Sequence, residues 1–172
     1  MLIRILANTL LHAMKVSDLQ SKFIDRLKEL LPEWKFVKGD RTFKRVIGSN
    51  VWHFHISCIN HASDFDCTGD VAVEFKSKKV QLCIVGAELG NIDGVGQKRF
   101  CAGNTQQAVE SADAIYSYFL KVGIPFLEKY SAPKEVVKTL KVGGKEAMLI
   151  SPITNLHMQQ IDSLVEHYGS SM

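Results

Sequence analysis

The hydrophobic period of this chain changes from helical to alternating just past residue 31, and that change commits it to a fold that mixes helix with sheet. From Ser17 to Leu31 the apolar residues Leu19, Phe23, Ile24, Leu27, Leu30 and Leu31 recur at helical spacing on one face. Lys22, Asp25, Arg26, Lys28 and Glu29 take the other face, which predicts an amphipathic helix over 17–31. Ser17 followed by Gln20 fits a capping box, and Pro32 ends the helix. Beyond it the period falls to two. "WKFVK" runs into Gly39–Asp40, "TFKRVI" runs into Gly48–Ser49–Asn50, and then come "VWHFHISCI", "DVAVEF" and "VQLCIV", the last two separated by "KSKK". Short alternating segments joined by tight turns predict an antiparallel meander of about five strands over 34–86. In "DVAVEF", Val71, Val73 and Phe75 point one way and Ala72 and Glu74 the other; in "VQLCIV", Val80, Leu82 and Ile84 share a face. One face of the sheet is therefore expected to be buried, and helices are the only covers large enough.

Residues 87–103 are glycine-rich and carry no lasting period, which predicts a long loop. A helical part follows over 104–168. Its first helix, from Thr105 to Val122, has Ala108, Val109, Ala112, Ile115, Tyr116, Phe119 and Leu120 as its stripe, with Gly123 closing it. "IPFLEKY" and "PKEVVKTLK" are short helical pieces and "LHMQQIDSLVEHY" is a last helix. The expected fold class is α+β: one domain of 172 residues, with the N-terminal helix and the C-terminal helices packed on one face of the sheet.

Bulk properties exclude some classes. A net charge of +3 is too weak to argue for nucleic acid by itself, and no apolar run approaches the roughly 18 residues of a membrane helix. The four cysteines, 58, 67, 83 and 101, form no CxxC pair, so free thiols and a reducing cytoplasm are expected. At the N-terminus, Arg4, Asn8, Thr9 and His12 break the apolar run that a secretion signal needs. Residues 1–13 are taken instead as an N-terminal extension ahead of Met14.

The stretch "VWHFHISCINHASDFDC", 51–67, concentrates the chemistry. On a strand, His53 and His55 share a face with Ser57, while Trp52, Phe54, Ile56 and Cys58 share the other. A His-x-His pair can offer two imidazoles to one metal, with His61, Asp64 or Asp66 as a third ligand. Against this, Cys58 points away from both histidines and His61 lies past the strand end. The preferred reading places Trp52, Phe54 and Ile56 in the core of a near-central strand, with both histidines solvated and binding no metal. The hairpin "WKFVKGDRTFKRV" carries Lys35, Lys38, Arg41, Lys44 and Arg45 among aromatics. That pattern suits a nucleic-acid surface, and equally a lysine-guarded sheet edge. Lys38, Arg41, Lys44 and Arg45 of the hairpin and Glu88, Asp93, Lys98 and Arg99 of the loop are the candidate partner-binding residues. No phosphate-binding glycine motif, nucleophile elbow or HExxH is present, and no cofactor is expected.

The hairpin "FVKGDRTFKRV", following an amphipathic helix, resembles the opening of the bacterial domain-of-unknown-function family 4304. The matching residues are Phe36, Lys38, Gly39, Phe43 and Arg45. "GIPFLEKYS", 123–131, resembles a helix break found late in such proteins, and the likeness spans about 17–140. It implies an α+β fold and brings no catalytic residues. By analogy, small domains of this kind are often immunity proteins that neutralise a toxin. The expected function is thus a non-catalytic binding protein with a protein partner, in its most concrete form a toxin domain. The alternative is a metal-dependent or nucleic-acid-acting enzyme built on the sheet's polar face.

Overall fold

In the computed structural model, which describes residues 14–171, the first helical period folds as α1 (Val16–Leu30). Leu19, Phe23 and Leu27 are buried on successive turns, and Leu31 extends the stripe just past the helix end. The expected capping box is not formed. Lys15 holds the N-cap position with no side-chain hydrogen bond, so Ser17 falls within the first turn. Gln20 instead bonds Asn60 and Arg41. The readings of residues 1–13 lie outside the described residues.

The alternating segments form β1 (Lys35–Val37), β2 (Thr42–Ile47), β3 (Asn50–Asn60), β4 (Phe65–Ser77) and β5 (Val80–Glu88). Each is antiparallel to the next in the order β1-β2-β3-β4-β5, the expected meander with β3 at its centre. The 87–103 segment is less loop-like than its composition suggests. β5 runs on to Glu88, α2 (Leu89–Ile92) follows, and β6 (Phe100–Ala102) adds a sixth strand against Phe65–Cys67 of β4. A three-residue strand cannot display a period. The matching half of β4 is also obscured, because Gly69 interrupts its apolar parity. A Cβ at Gly69 would lie 2.8 Å from the Phe54 ring and 3.0 Å from Leu89, so the core fills that site from other strands and helices.

Trp52, Phe54 and Ile56 are buried as expected, with Val71, Val73 and Phe75 beside them. Phe54 stacks on Phe119 with centroids 4.3 Å apart. On β5 the buried residues are Cys83 and Val85, set opposite Phe75 and Val73, while Val80 and Ile84 face outward. The shared face of Val80, Leu82 and Ile84 is thus not the core face. A register shift at Phe75/Lys76 bends the β4–β5 ladder beside Leu82.

The helical part opens with α3 (Thr105–Tyr118), capped by the Asn104 side chain, which accepts from the Gln107 N–H. Gly123 does not close this helix. The chain runs through a π turn (Phe119–Gly123) directly into α4 (Ile124–Tyr130). Gly123 keeps a right-handed helical φ of −71°, and its missing side chain serves packing. A Cβ there would lie 2.7 Å from Phe119, 3.0 Å from Leu89 and 3.1 Å from Val71. Then follow α5 (Pro133–Val142), α6 (Gly144–Ile150) and α7 (His157–Tyr168). The seven residues of α6 are too few to show a stripe in the sequence. Arg26 ties α1 to α3 through Asp113 at 2.7 Å. α6 and α7 pack at the free edge of β5, where Gln160 Nε2 donates to the Ile84 carbonyl at 3.2 Å. No helix among the described residues is long and apolar enough to cross a membrane.

Candidate functional site

Among the described residues, the helices bury one face of the sheet and leave the other open. On β3 the outward parity is His53, His55, Ser57 and Ile59, opposite Ala72, Asp70, Thr68 and Asp66 of β4. Three histidine–carboxylate pairs run along these two strands and the turn that joins them. His53 Nε2 lies 2.8 Å from Glu74, His55 Nδ1 lies 3.2 Å from Asp70, and His61 Nε2 lies 3.2 Å from Asp66. Asp70 and Glu74 were not foreseen as partners. Their signal was the alternation of "DVAVEF" combined with the hairpin register, which sets Asp70 directly across from His55.

The three pairs differ in burial. The His53 and Glu74 side chains are only 14% and 12% exposed, against 42% and 41% for His55 and Asp70. The expectation of a solvated His53 is therefore corrected. Neighbouring strands wall it in, with Lys44 directly across on β2 and Ala72 on β4. Burial holds the His53 imidazole below its ordinary value. Glu74 pulls the other way, and Lys44 and Lys76 add to the lowering. A neutral ring with its proton on Nε2 donates to Glu74, whose other oxygen lies 3.2 Å from Lys76 Nζ. At the hairpin tip, the Cys101 thiol, then His61, hold the Asp66 carboxyl below its ordinary range, and Arg99 lies 3.4 Å away.

The His-x-His ligand set is not assembled. His53, His55 and His61 each turn to a different carboxylate, and among the described residues no group of three or more His, Cys, Asp or Glu is placed to hold a metal ion. Cys58 belongs to the covered side, and burial raises its thiol above the ordinary value while Arg41 opposes that rise.

The partner-binding candidates do not form one patch. Lys38 and Arg41 line a groove of about 560 Å3 against α1, with Ser17, Gln20, Ile24 and Phe36. Arg41 takes a left-handed φ of 49°, and its carbonyl accepts the Ile56 N–H at 3.1 Å. Lys44 sits on the open face and pairs with Asp40 at 3.4 Å. Arg45 has the opposite parity and pairs with Glu33. The loop candidates hold the loop itself together. Glu88 caps α2 by accepting from Asn91 N–H and also accepts from Lys98 N–H. Asp93 accepts from the Tyr118 hydroxyl at 2.9 Å, and Lys98 Nζ stands 3.9 Å over the Tyr118 ring. Arg99 turns to Asp66 and Gln97.

Two features of the open face escaped the sequence. Exposed aliphatics mark its margins: Val46 on β2, Ile59 on β3 and Ile84 on β5, at 73%, 47% and 43% exposure. A cleft of about 380 Å3 lies at the β5 side, between Asp70, Ala72, Gly86 and Glu88 of the sheet and Met148, Leu149 and Pro152. It pairs two carboxylates with an apolar wall. Comparison with known proteins finds no matching family model, no matching curated protein and no matching solved structure.

Proposed function

We propose that this chain is a non-catalytic binding protein and that a protein partner docks on the open face of the sheet. The observation that carries the reading is the construction of that face: histidine–carboxylate pairs fix its centre, and exposed aliphatics mark its margins. Side chains already held by hydrogen bonds lose little freedom when a partner arrives, and a mixed polar and apolar surface is the usual make-up of such interfaces. The Asp70–Glu88 cleft, with Met148, Leu149 and Pro152 as its wall, suits the stem and charged head of a lysine or arginine from the partner. In its most concrete form the proposed partner is a toxin domain that the chain neutralises.

The test is co-expression with the product of the adjacent gene, scored by growth rescue and by co-purification. Wild type should rescue and co-purify. Ile59→Glu and Glu88→Lys should fail at both while wild-type-like circular dichroism shows that they are folded. Rescue that persists in both folded variants would sink the docking face. Hydrolysis of nucleic acid, or a bound metal lost on changing His53 and His55, would put the enzyme alternative ahead.

A further inference from the structure

We propose that Cys58 and Cys67 are a redox modification site that closes to a cross-strand disulfide when the chain meets hydrogen peroxide. The two are nine residues apart in sequence, yet the β3–β4 register sets them directly opposite each other. All four cysteines are free thiols in the structure.

Two backbone hydrogen bonds identify what kind of opposed pair this is. His61 N–H donates to the Asp64 carbonyl at 2.9 Å, which makes the residues at the hairpin tip a hydrogen-bonded pair. Alternation then makes Asn60/Phe65 non-hydrogen-bonded, Ile59/Asp66 hydrogen-bonded, and Cys58/Cys67 non-hydrogen-bonded. Independently, Ile56 N–H donates to Arg41 on the β2 side, so the Cys58 backbone, of the same parity, also faces β2 and not β4. Non-hydrogen-bonded pairs bring Cα atoms to about 4.5 Å, within the range of roughly 4.4–6.8 Å that a disulfide spans. The other pair parity holds the strands about an ångström further apart, at about 5.5 Å, with side chains less close.

The surroundings assign the order of events. Cys58 is half-buried and has the Arg41 guanidinium against it, whereas Cys67 is 1% exposed, with its Sγ 3.4 Å from the Phe100 carbonyl. Of the two, Cys58 is the one that peroxide reaches first. Its thiolate sulfur attacks one peroxide oxygen and the O–O bond breaks. Cys58 becomes a sulfenic acid, and the departing hydroxide takes a proton to leave as water. Cys67 Sγ then attacks the Cys58 sulfur and the S–O bond breaks. The hydroxide that leaves takes the Cys67 proton as a second water. In sum two thiols lose two electrons and peroxide gains them. Burial raises both thiols above their ordinary values, Cys67 the further, so little thiolate is present and the reaction is slow; the choice of partner comes from the strand register. Cys101, with the parity of Asp66, lies on the other side of the sheet from Cys67 and stays out of the bond.

The experiment treats the folded 172-residue chain with hydrogen peroxide and maps peptides without reduction. The expected product is one Cys58–Cys67 bond within the chain, with Cys83 and Cys101 still alkylatable. Cys101→Ser should form it as wild type does. Cys67→Ser should stop at oxidised Cys58, trapped by a sulfenic-acid probe, and this arm needs no disulfide to be read. Peroxide added to denaturant-unfolded chain should give mixed pairings. Recovery of Cys58 and Cys67 as free thiols, a dominant Cys58–Cys101 bond, or the same Cys58–Cys67 preference after unfolding would overturn the proposal.

Discussion

Phe54 and His53 are sequence neighbours on opposite faces of β3, and the contrast between them shows how far the alternation rule carries. Phe54 is fully buried and stacked on Phe119. Phe54→Ala removes the ring from a packed core and should cost about 3–5 kcal/mol in urea unfolding. A cost below about 1 kcal/mol would mean the ring is not in the core. Alternation placed both residues on the correct faces but could not say how deep the outward ring sits, because that depends on Lys44, Ala72 and Glu74 on the two adjoining strands. His53→Ala leaves the buried Glu74 carboxylate short of a donor, so about 1–3 kcal/mol is expected, against under about 1 kcal/mol for the more exposed His55→Ala. The His53 pair also sets a pH dependence. Its folded-state value lies below the ordinary one of about 6.5, so on acidification the unfolded chain binds the proton first. Stability is full above about pH 6.5 and falls as pH drops toward the folded value. Between about pH 7.5 and pH 5.5, wild type should lose more stability than His53→Gln, as read by the urea midpoint. Parallel profiles for the two would remove His53 as the cause.

The long elements were legible in the sequence, and of the short ones only β1 and α4, which turn and proline signals bracket. α1, α3 and the longer meander strands β2 to β4 each repeat their period, so the spacing of a few apolar residues was enough. α2, β6 and α6 span three to seven residues and carry no pattern of their own. They exist because the surrounding structure holds them: β6 pairs with β4, and α2 is capped by Glu88. The misread of Gly123 has the same origin. Its role as a helix stop was inferred from local rules, but what requires glycine there is packing: the Phe119 ring, itself stacked on Phe54, together with Leu89 on α2 and Val71 on β4, fills the space a Cβ would take. Gly123→Ala therefore tests whether the π turn is pressed against the sheet. Overpacking should cost about 1–3 kcal/mol in thermal or urea unfolding, despite alanine's better helix propensity. A stabilised variant would show that the turn has room to spare. The loop candidates belong to this scale too, since Asp93 and Lys98 meet at Tyr118 on α3 and so anchor the loop to the helix layer.

At the scale of the molecule the organising feature is a sheet that the described residues cover on one face and leave open on the other. Its existence was readable from the parity of β3 and β4, which alternate buried apolar with outward polar residues, whereas the apolar run of β5 hid its core face. The site on it was not, because the pairs His53–Glu74 and His55–Asp70 join segments whose register the sequence states only indirectly. The same register brings Cys58 to Cys67, which a search for closely spaced cysteines passes over. It also separates the hairpin cations that looked like one basic surface, since Lys44 and Arg45 fall on opposite faces. The most direct measurement is an aspartate scan of β3 from Trp52 to Ile59, reading thermal stability and, for every folded variant, binding to the co-expressed product of the adjacent gene. Aspartate at Trp52, Phe54 and Ile56 should abolish cooperative unfolding. At His55, Ser57 and Ile59 it should leave the melting temperature within a few degrees of wild type and abolish binding. Folded His55, Ser57 and Ile59 variants that bind that product as wild type does would contradict the open face as the docking surface.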